Sequence, residues 1–389
     1  MIPYGRQDID QNDIDAVISI LKSNFLTQGP QIPLFEESVR KAVDAEFAVA
    51  VNSATSALHI ACLALGVSEG DIVWTTPITF VASANCALYC GAEVDFIDID
   101  PETYNLSAKN LEQKLIDAKI NNLPLPKVLI PVHLSGQSCE MDKIHMLSKK
   151  YGFSIIEDAS HAIGGKYQSS PIGSCKYSDI TIFSFHPVKI VTTGEGGVAT
   201  TNNLQLAKKM NLLRSHGITR NSELMTEKKH GEWYYQQIDL GFNYRMTEMQ
   251  AGLGISQMTR LHEFVAKRNN LAMRYNDLLQ GLPITVQKQL DDSYSAYHLY
   301  IIRLHLDEIT LSHKDAFEHL RKKGIGVNLH YIPVHTQPYY QQLGFKLGQF
   351  IESEKYYQEA LSLPLFPTMT KSDQDKVIKS LRLILNRDL

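Results

Sequence analysis

From Ala45 to Thr201 short β-branched apolar runs alternate with longer segments whose apolar residues recur at helical spacing. That alternation is the signature of βα units feeding a mostly parallel sheet. Strands are predicted at Phe47–Val51, Asp71–Trp74, Glu93–Ile97, Val128–Val132, Ser154–Ile156, Ile180–Ser184 and Gly197–Thr200. Most of these runs end in polar residues. Ligands of open α/β sheets gather at the carboxyl ends of strands, so chemistry is to be sought there.

The pattern changes after Thr247. As far as Leu279 apolar residues recur without a proline and with only two early glycines, which predicts a long helix or a helix pair. Beyond it, Tyr297–Leu304 reads as a strand, Lys314–Lys323 as a helix stopped by Gly324, and Ser372–Asn386 as a terminal helix. At 389 residues the chain exceeds what one hydrophobic core usually serves. We therefore expect an α/β large domain over residues 1–250 and a smaller α+β domain over residues 251–389.

Composition narrows the function classes. Hydrophobic residues at 44% and charged residues at 21% describe a folded globular protein. A net charge of −4 gives no basic footprint, so nucleic acid is not an expected partner. The five cysteines (Cys62, Cys86, Cys90, Cys139 and Cys175) are odd in number and lack paired spacing, and they read as reduced thiols. The apolar stretch Phe47–Val67 is interrupted by Asn52, Ser53, Thr55, Ser56 and His59, which reads as strand, polar turn and helix rather than a membrane span. MIPYGRQDID has no basic start followed by an apolar stretch, and the cytoplasm is the expected location.

Three segments carry candidate chemistry. In FSIIEDASHA a strand runs into Glu157, Asp158, Ser160 and His161. Taken alone, such an acidic pair serves as a helix cap, a metal ligand or a catalytic carboxylate. In DITIFSFHPVKIVTTGEGGVAT a strand leads to Lys189 and then to a glycine-rich turn at Gly194–Gly197. A lysine there is either a solvated loop residue or an amine made nucleophilic by desolvation. The glycines match neither the dinucleotide fingerprint nor the P-loop. In VNSATSALHIACLAL, Ser53 caps a helix whose first free donors belong to Ala54 and Thr55, an ordinary cap or an anion site. A cofactor with a phosphate, an aldehyde and a basic ring nitrogen needs an anion site, an amine and a carboxylate. Pyridoxal phosphate fits all three.

Further along, FLTQGP, TTPITFVASAN, SFHPVK, LRSHGITR, LGFNYRMTEMQAGLG, LHYIPVHTQPYY and LSLPLFP extend this series in order over nearly the whole chain. On these motifs the protein resembles the DegT-type sugar aminotransferases, a fold-type-I pyridoxal-phosphate family. Within it, the chain is most similar to the transaminases that aminate UDP-2-acetamido-2,6-dideoxy-β-L-arabino-hexos-4-ulose, a UDP-linked keto-sugar, with L-glutamate as donor in pseudaminic acid synthesis. The resemblance implies that Lys189 holds the cofactor, Asp158 pairs with its ring nitrogen and Phe80 covers one ring face. It places Ala54, Thr55 and Ser184 at the phosphate and His161, where many relatives carry glutamine, near the ring hydroxyl. Asn243 matches a position reaching the phosphate from the neighbouring subunit, which implies a homodimer with shared active sites. Tyr4, Asn24, Phe25, Leu26, Thr27, Asn328, Leu329, His330 and Tyr331 match segments that contact the sugar nucleotide.

Relatives that dehydrate sugars carry histidine in place of this lysine, so Lys189 speaks for transamination, and His186 is left as a supporting residue. The motifs leave open another UDP- or dTDP-linked 4-keto sugar, and a non-catalytic cofactor-binding regulator. No metal is expected: the spacing of His330 and His335, with Tyr331 between, suggests one, but no HExxH motif or carboxylate triad accompanies them. Trp233, Tyr234 and Tyr235 read as interface packing. Arg245 reads either as a contact for the donor carboxylate or as half of an ion pair.

Overall fold

A computed structural model describes residues 1–385. Among the described residues the chain opens with α1 (Gln11–Leu21) and α2 (Gln31–Val43) before β1 (Phe47–Val51). There follow α3 (Ala54–Ala64), β2 (Ile72–Thr75), α4 (Ala82–Tyr89), β3 (Glu93–Phe96), α5 (Ala108–Ile120), β4 (Val128–Leu129), α6 (Met141–Tyr151) and β5 (Ser154–Asp158). Two small strands, β6 (Lys166–Tyr167) and β7 (Ser170–Pro171), precede β8 (Ile180–Ser184), β9 (Gly197–Thr201) and α7 (Leu204–Leu213). A short pair, β10 (Ile218–Thr219) and β11 (Gln236–Gln237), leads to α8 (Glu248–Met258) and α9 (Leu261–Leu278). The remainder holds β12 (Ile284–Val286), β13 (Ser293–Tyr294), β14 (Tyr300–Leu304), α10 (His313–Lys322), α11 (Pro338–Gln342), α12 (Ile351–Glu359), β15 (Ala360–Leu363) and α13 (Lys371–Leu385).

The main sheet has seven strands in the order β1-β9-β8-β5-β4-β2-β3. Every pairing from β8 through β5, β4 and β2 to β3 is parallel. Only β9 runs against its neighbours. The segment from Ser184 to Gly197 contains no helix, so the chain doubles back instead of crossing over. Both faces are covered, which is why β8 and β9 are buried along their whole length. On one face Val49, Val51 and Ile182 pack with Leu58, Cys86 and Met210. On the other, Phe183, Phe185 and Val198 pack with Phe35, Val39, Ala251 and Phe264.

Several boundaries move from their expected places for identifiable reasons. The strand expected over Val128–Val132 is continuous only at Val128–Leu129 and resumes as a single bridge between Val132 and Asp158, because Pro131 between them has no N–H to give. Its carbonyl instead accepts from Asp158 N at 2.9 Å, which prolongs β5 to Asp158. The stretch from Thr247 to Leu279 is a helix pair broken at Thr259 and Arg260. Its first member starts from a capping box between Thr247 and Gln250. The strand expected from Tyr297 begins at Tyr300, since Tyr297 takes a φ of 46° that extended pairing does not accommodate. The terminal helix follows its expected course to Leu385, and Asn386 lies outside the described residues.

A second, antiparallel sheet, β12-β14-β15, has its own core of Tyr275, Ile302, Leu320, Leu361, Val377 and Leu381. Arg268 of α9 is fully buried where this part meets the rest. Its Nη1 donates to the carbonyls of Tyr297 at 3.3 Å, His298 at 3.2 Å and Leu365 at 2.9 Å. α9 is thereby fastened to the segment that enters the functional cavity at His298.

Candidate active site

A cavity of about 840 Å³ opens where the carboxyl ends of β5 and β8 meet the amino end of α3. Its wall includes Asp158, Ser184, Lys189, the turn Asn52–Ser56, Phe80, His161, His298, His330 and Tyr331.

Strand alternation separates the acidic pair. Glu157 turns away from the cavity and accepts from Thr181 Oγ1 at 3.2 Å and lies 2.7 Å from His133 Nε2. Burial pushes its carboxyl up, but His133, Ser178 and Thr181 outweigh that and hold it below the usual range. Asp158 faces the cavity. Its Oδ1 accepts from the N–H of Ser160 at 3.1 Å and the Ser160 hydroxyl at 2.5 Å, and its Oδ2 accepts from the Ser83 hydroxyl at 2.6 Å.

Lys189 stands half-buried on the loop after β8. Desolvation disfavours its charge and brings the pKa down to about 8, against the opposing pull of Asp158. Much more of the free amine is available near neutrality than an exposed lysine offers.

The third component is the start of α3. Ser53 Oγ accepts from Ser56 N at 3.1 Å and caps the helix. Helix geometry leaves the N–H groups of Ala54 and Thr55 without intrahelical acceptors, at the positive end of the dipole and on the cavity wall. Gly197 of β9 makes this placement feasible. A Cβ there would stand 2.5 Å from the carbonyl carbon and oxygen of Ser53 and 2.6 Å from Ala54 N.

Neutral imidazoles line the opposite side. The Ser135 N–H donates to His161 Nδ1 at 3.3 Å, so the ring proton sits on Nε2, 3.1 Å from the Tyr331 hydroxyl. Burial, then Lys189, holds His161 well below its ordinary pKa, and the same causes bring His330 down to about 3. His298 lies 4.4 Å from His161, ring to ring, and burial lowers its pKa as well. Burial raises the pKa of Tyr331, which keeps its proton at any working pH.

An amine, a carboxylate and a helix N-terminus with free donors thus share one cavity, and these residues fit the amine-anchored phosphate cofactor that the sequence implies. Of the residues expected to form the site, Tyr4, Ala54, Thr55, Phe80, Asp158, His161, Ser184, Lys189, His330 and Tyr331 line the cavity together. Asn24, Phe25, Leu26 and Thr27 lie exposed away from its wall, with the Leu26 carbonyl accepting from Glu248 N at 3.0 Å. Asn243 is exposed, and its carbonyl accepts from Asn52 Nδ2 at 3.5 Å. Asn328 sits behind the wall, paired through its backbone with Ser362, and Leu329 packs against the cluster containing Ile78 and Tyr104. Sequence reasoning missed Ser83 and His298. The one signal for Ser83 is its place a helical turn after Phe80; for His298 the sequence offers none.

Residues 7–382 match the profile of the DegT/DnrJ/EryC1/StrS aminotransferase family. The chain is 39% identical over 390 residues to the UDP-4-amino-4,6-dideoxy-N-acetyl-beta-L-altrosamine transaminase of Campylobacter jejuni, covering 100% of this chain and 98% of that one. It is 37% identical over 387 residues to the spore coat polysaccharide biosynthesis protein SpsC of Bacillus subtilis, covering 99% and 97% respectively. Among solved structures it is similar to Helicobacter pylori PseC, an aminotransferase involved in pseudaminic acid biosynthesis. The TM-score is 0.89 at 32% identity, over 99% of each chain.

Proposed function

The chain belongs to the DegT/DnrJ/EryC1/StrS aminotransferase family, and on that footing we propose that it moves an amino group from L-glutamate to C4 of a UDP-linked 4-keto-6-deoxy-N-acetylhexosamine. The product is a 4-amino sugar nucleotide of the kind used for pseudaminic acid. The protein is a pyridoxal-phosphate-dependent nucleotide-sugar aminotransferase. The observation that carries the reading is the convergence of Lys189, Asp158 and the α3 N-terminus on one cavity.

Bound pyridoxal phosphate supplies an electron sink for the pair released when a substrate carbon loses its proton. The chain supplies position and proton traffic. Lys189 anchors the cofactor through its ε-amine. As a free amine, Lys189 would take the proton from the amino acid's α-carbon and later return one to C4 of the sugar. Asp158 holds the ring nitrogen's proton. The N–H groups of Ala54 and Thr55 and the Ser184 hydroxyl bind the phosphate. Phe80 would cover the cofactor ring, and His161 would offer it a neutral imidazole.

Asn243 lies outside the cavity of its own chain, which supports assigning it to the phosphate of a neighbouring copy in a homodimer. We assign Tyr4, His330 and Tyr331 to the sugar nucleotide from within the cavity, Asn328 and Leu329 as their support, and Asn24–Thr27 to the rim. Purified enzyme is to be given glutamate with UDP- and dTDP-linked 4-keto sugars while 2-oxoglutarate is followed. The UDP-N-acetyl substrate should give the highest kcat/KM. Preference for a dTDP sugar, or no 2-oxoglutarate with any of them, overturns the assignment.

A further inference from the structure

An aspartate's terminal torsion is broad and two-fold, so its carboxylate plane must be fixed from outside. Ser160 does part of this for Asp158, but it sits two residues on and moves with the same loop. The Ser83 hydroxyl, 2.6 Å from Oδ2, comes from a different element, α4.

A carboxylate offers about four acceptor sites and no donor. Ser160 occupies two at Oδ1 and Ser83 one at Oδ2, which leaves a single site on Oδ2. Ser83 has one proton, and Asp158 takes it. The Thr79 hydroxyl, 2.7 Å from Ser83 Oγ, must therefore donate to Ser83. Thr79 is 2% exposed and Ser83 0%, so water does not replace either bond. Donors aligned in this way polarise one another. The same turn carries Phe80, between the two hydroxyls in sequence.

We propose that Ser83 is a positioning residue for Asp158, and that the Thr79–Ser83 relay aims the remaining acceptor site of that carboxylate at the ring nitrogen of the bound cofactor. The proposal rests on the reading of Asp158 as the ring-nitrogen partner. One short helical turn then sets two features of the cofactor together, the cover on its face and the charge behind its nitrogen.

The test uses holoenzyme carrying Ser83→Ala, Thr79→Val or Asp158→Asn. Three quantities are measured: the pH midpoint of the bound cofactor's visible absorption, cofactor retention on dialysis, and kcat separately from the sugar KM. Ser83→Ala should shift the midpoint and lower retention and kcat by about ten-fold, the size expected for one hydrogen bond to a charged partner, with KM unmoved. Thr79→Val, nearly isosteric, should shift the midpoint the same way by less, and it carries the test should Ser83→Ala not fold. A wild-type midpoint and retention in the folded Ser83 or Thr79 variants, with Asp158→Asn disturbed, overturns this inference alone. An undisturbed Asp158→Asn overturns the reading beneath it.

Discussion

Lys189 and Asp158 oppose each other in their effect on the site. Burial lowers the lysine's pKa to about 8 while the aspartate pulls it back. An unfolded chain holds that proton up to about 10.4. Between these two values the unfolded state binds more protons than the folded one, so this group's penalty on the apoprotein shrinks as pH rises from about 8 and is constant below it. Apoprotein and Lys189→Met unfolding curves across this window should converge in that direction. Recapture of pyridoxal phosphate by apoenzyme should accelerate with pH and level off above about 8, and a rate still rising steeply at 10 contradicts the assignment. Lys189→Ala should abolish turnover, and Asp158→Asn should reduce it by orders of magnitude; near-normal kcat in either contradicts the proposed chemistry. Both residues were legible in the sequence as polar groups just past strand ends. Glu157 and Asp158 were not separable there until the strand's alternation sent one to His133 and the other to the cavity.

At the scale of elements, the close approach of β9 to the start of α3 is the most exposed to disruption. Gly197→Ala places a methyl 2.5 Å from backbone atoms of Ser53, and neither strand nor helix start has a flexible end to yield. We expect cofactor retention to fall about ten-fold or more, as misdirecting one or two N–H donors would do, while circular dichroism stays native. Unchanged retention would show that the α3 turn is not the phosphate cradle. Ser53→Ala should cost about 1 kcal/mol of stability through loss of the cap, read from denaturant unfolding. Apolar runs made Phe47–Val51 and Ile180–Ser184 readable to the residue. The reversal of β9 was not readable, because strand direction depends on what the connecting segment can span rather than on the strand's own residues. The helix-pair break at Thr259 likewise has no proline or glycine to mark it.

For the molecule as a whole, the segment from Leu224 to Leu240 leaves Trp233 74% and Leu240 76% exposed, a costly surface for a solitary chain. The proposed homodimer would cover it and bring Asn243 to the neighbouring site. Trp233→Asp with Tyr235→Asp should shift the sedimentation coefficient from dimer toward monomer and lower cofactor retention in parallel. A variant that stays dimeric, or a wild type that sediments as a monomer, removes this surface from the argument. The large and small sheets were foreseeable from patterning. The Arg268 guanidinium that ties their junction together was not, since nothing local distinguishes a buried arginine from a solvated one.

The pairing of Val51 with Gly197 also orders events during synthesis. The edge strand that begins the sheet, β1, must wait for β9, a ribbon encoded much later. A nascent chain still short of it has the α3 turn without the backing of Gly197, and an unpaired border where β8 awaits a neighbour.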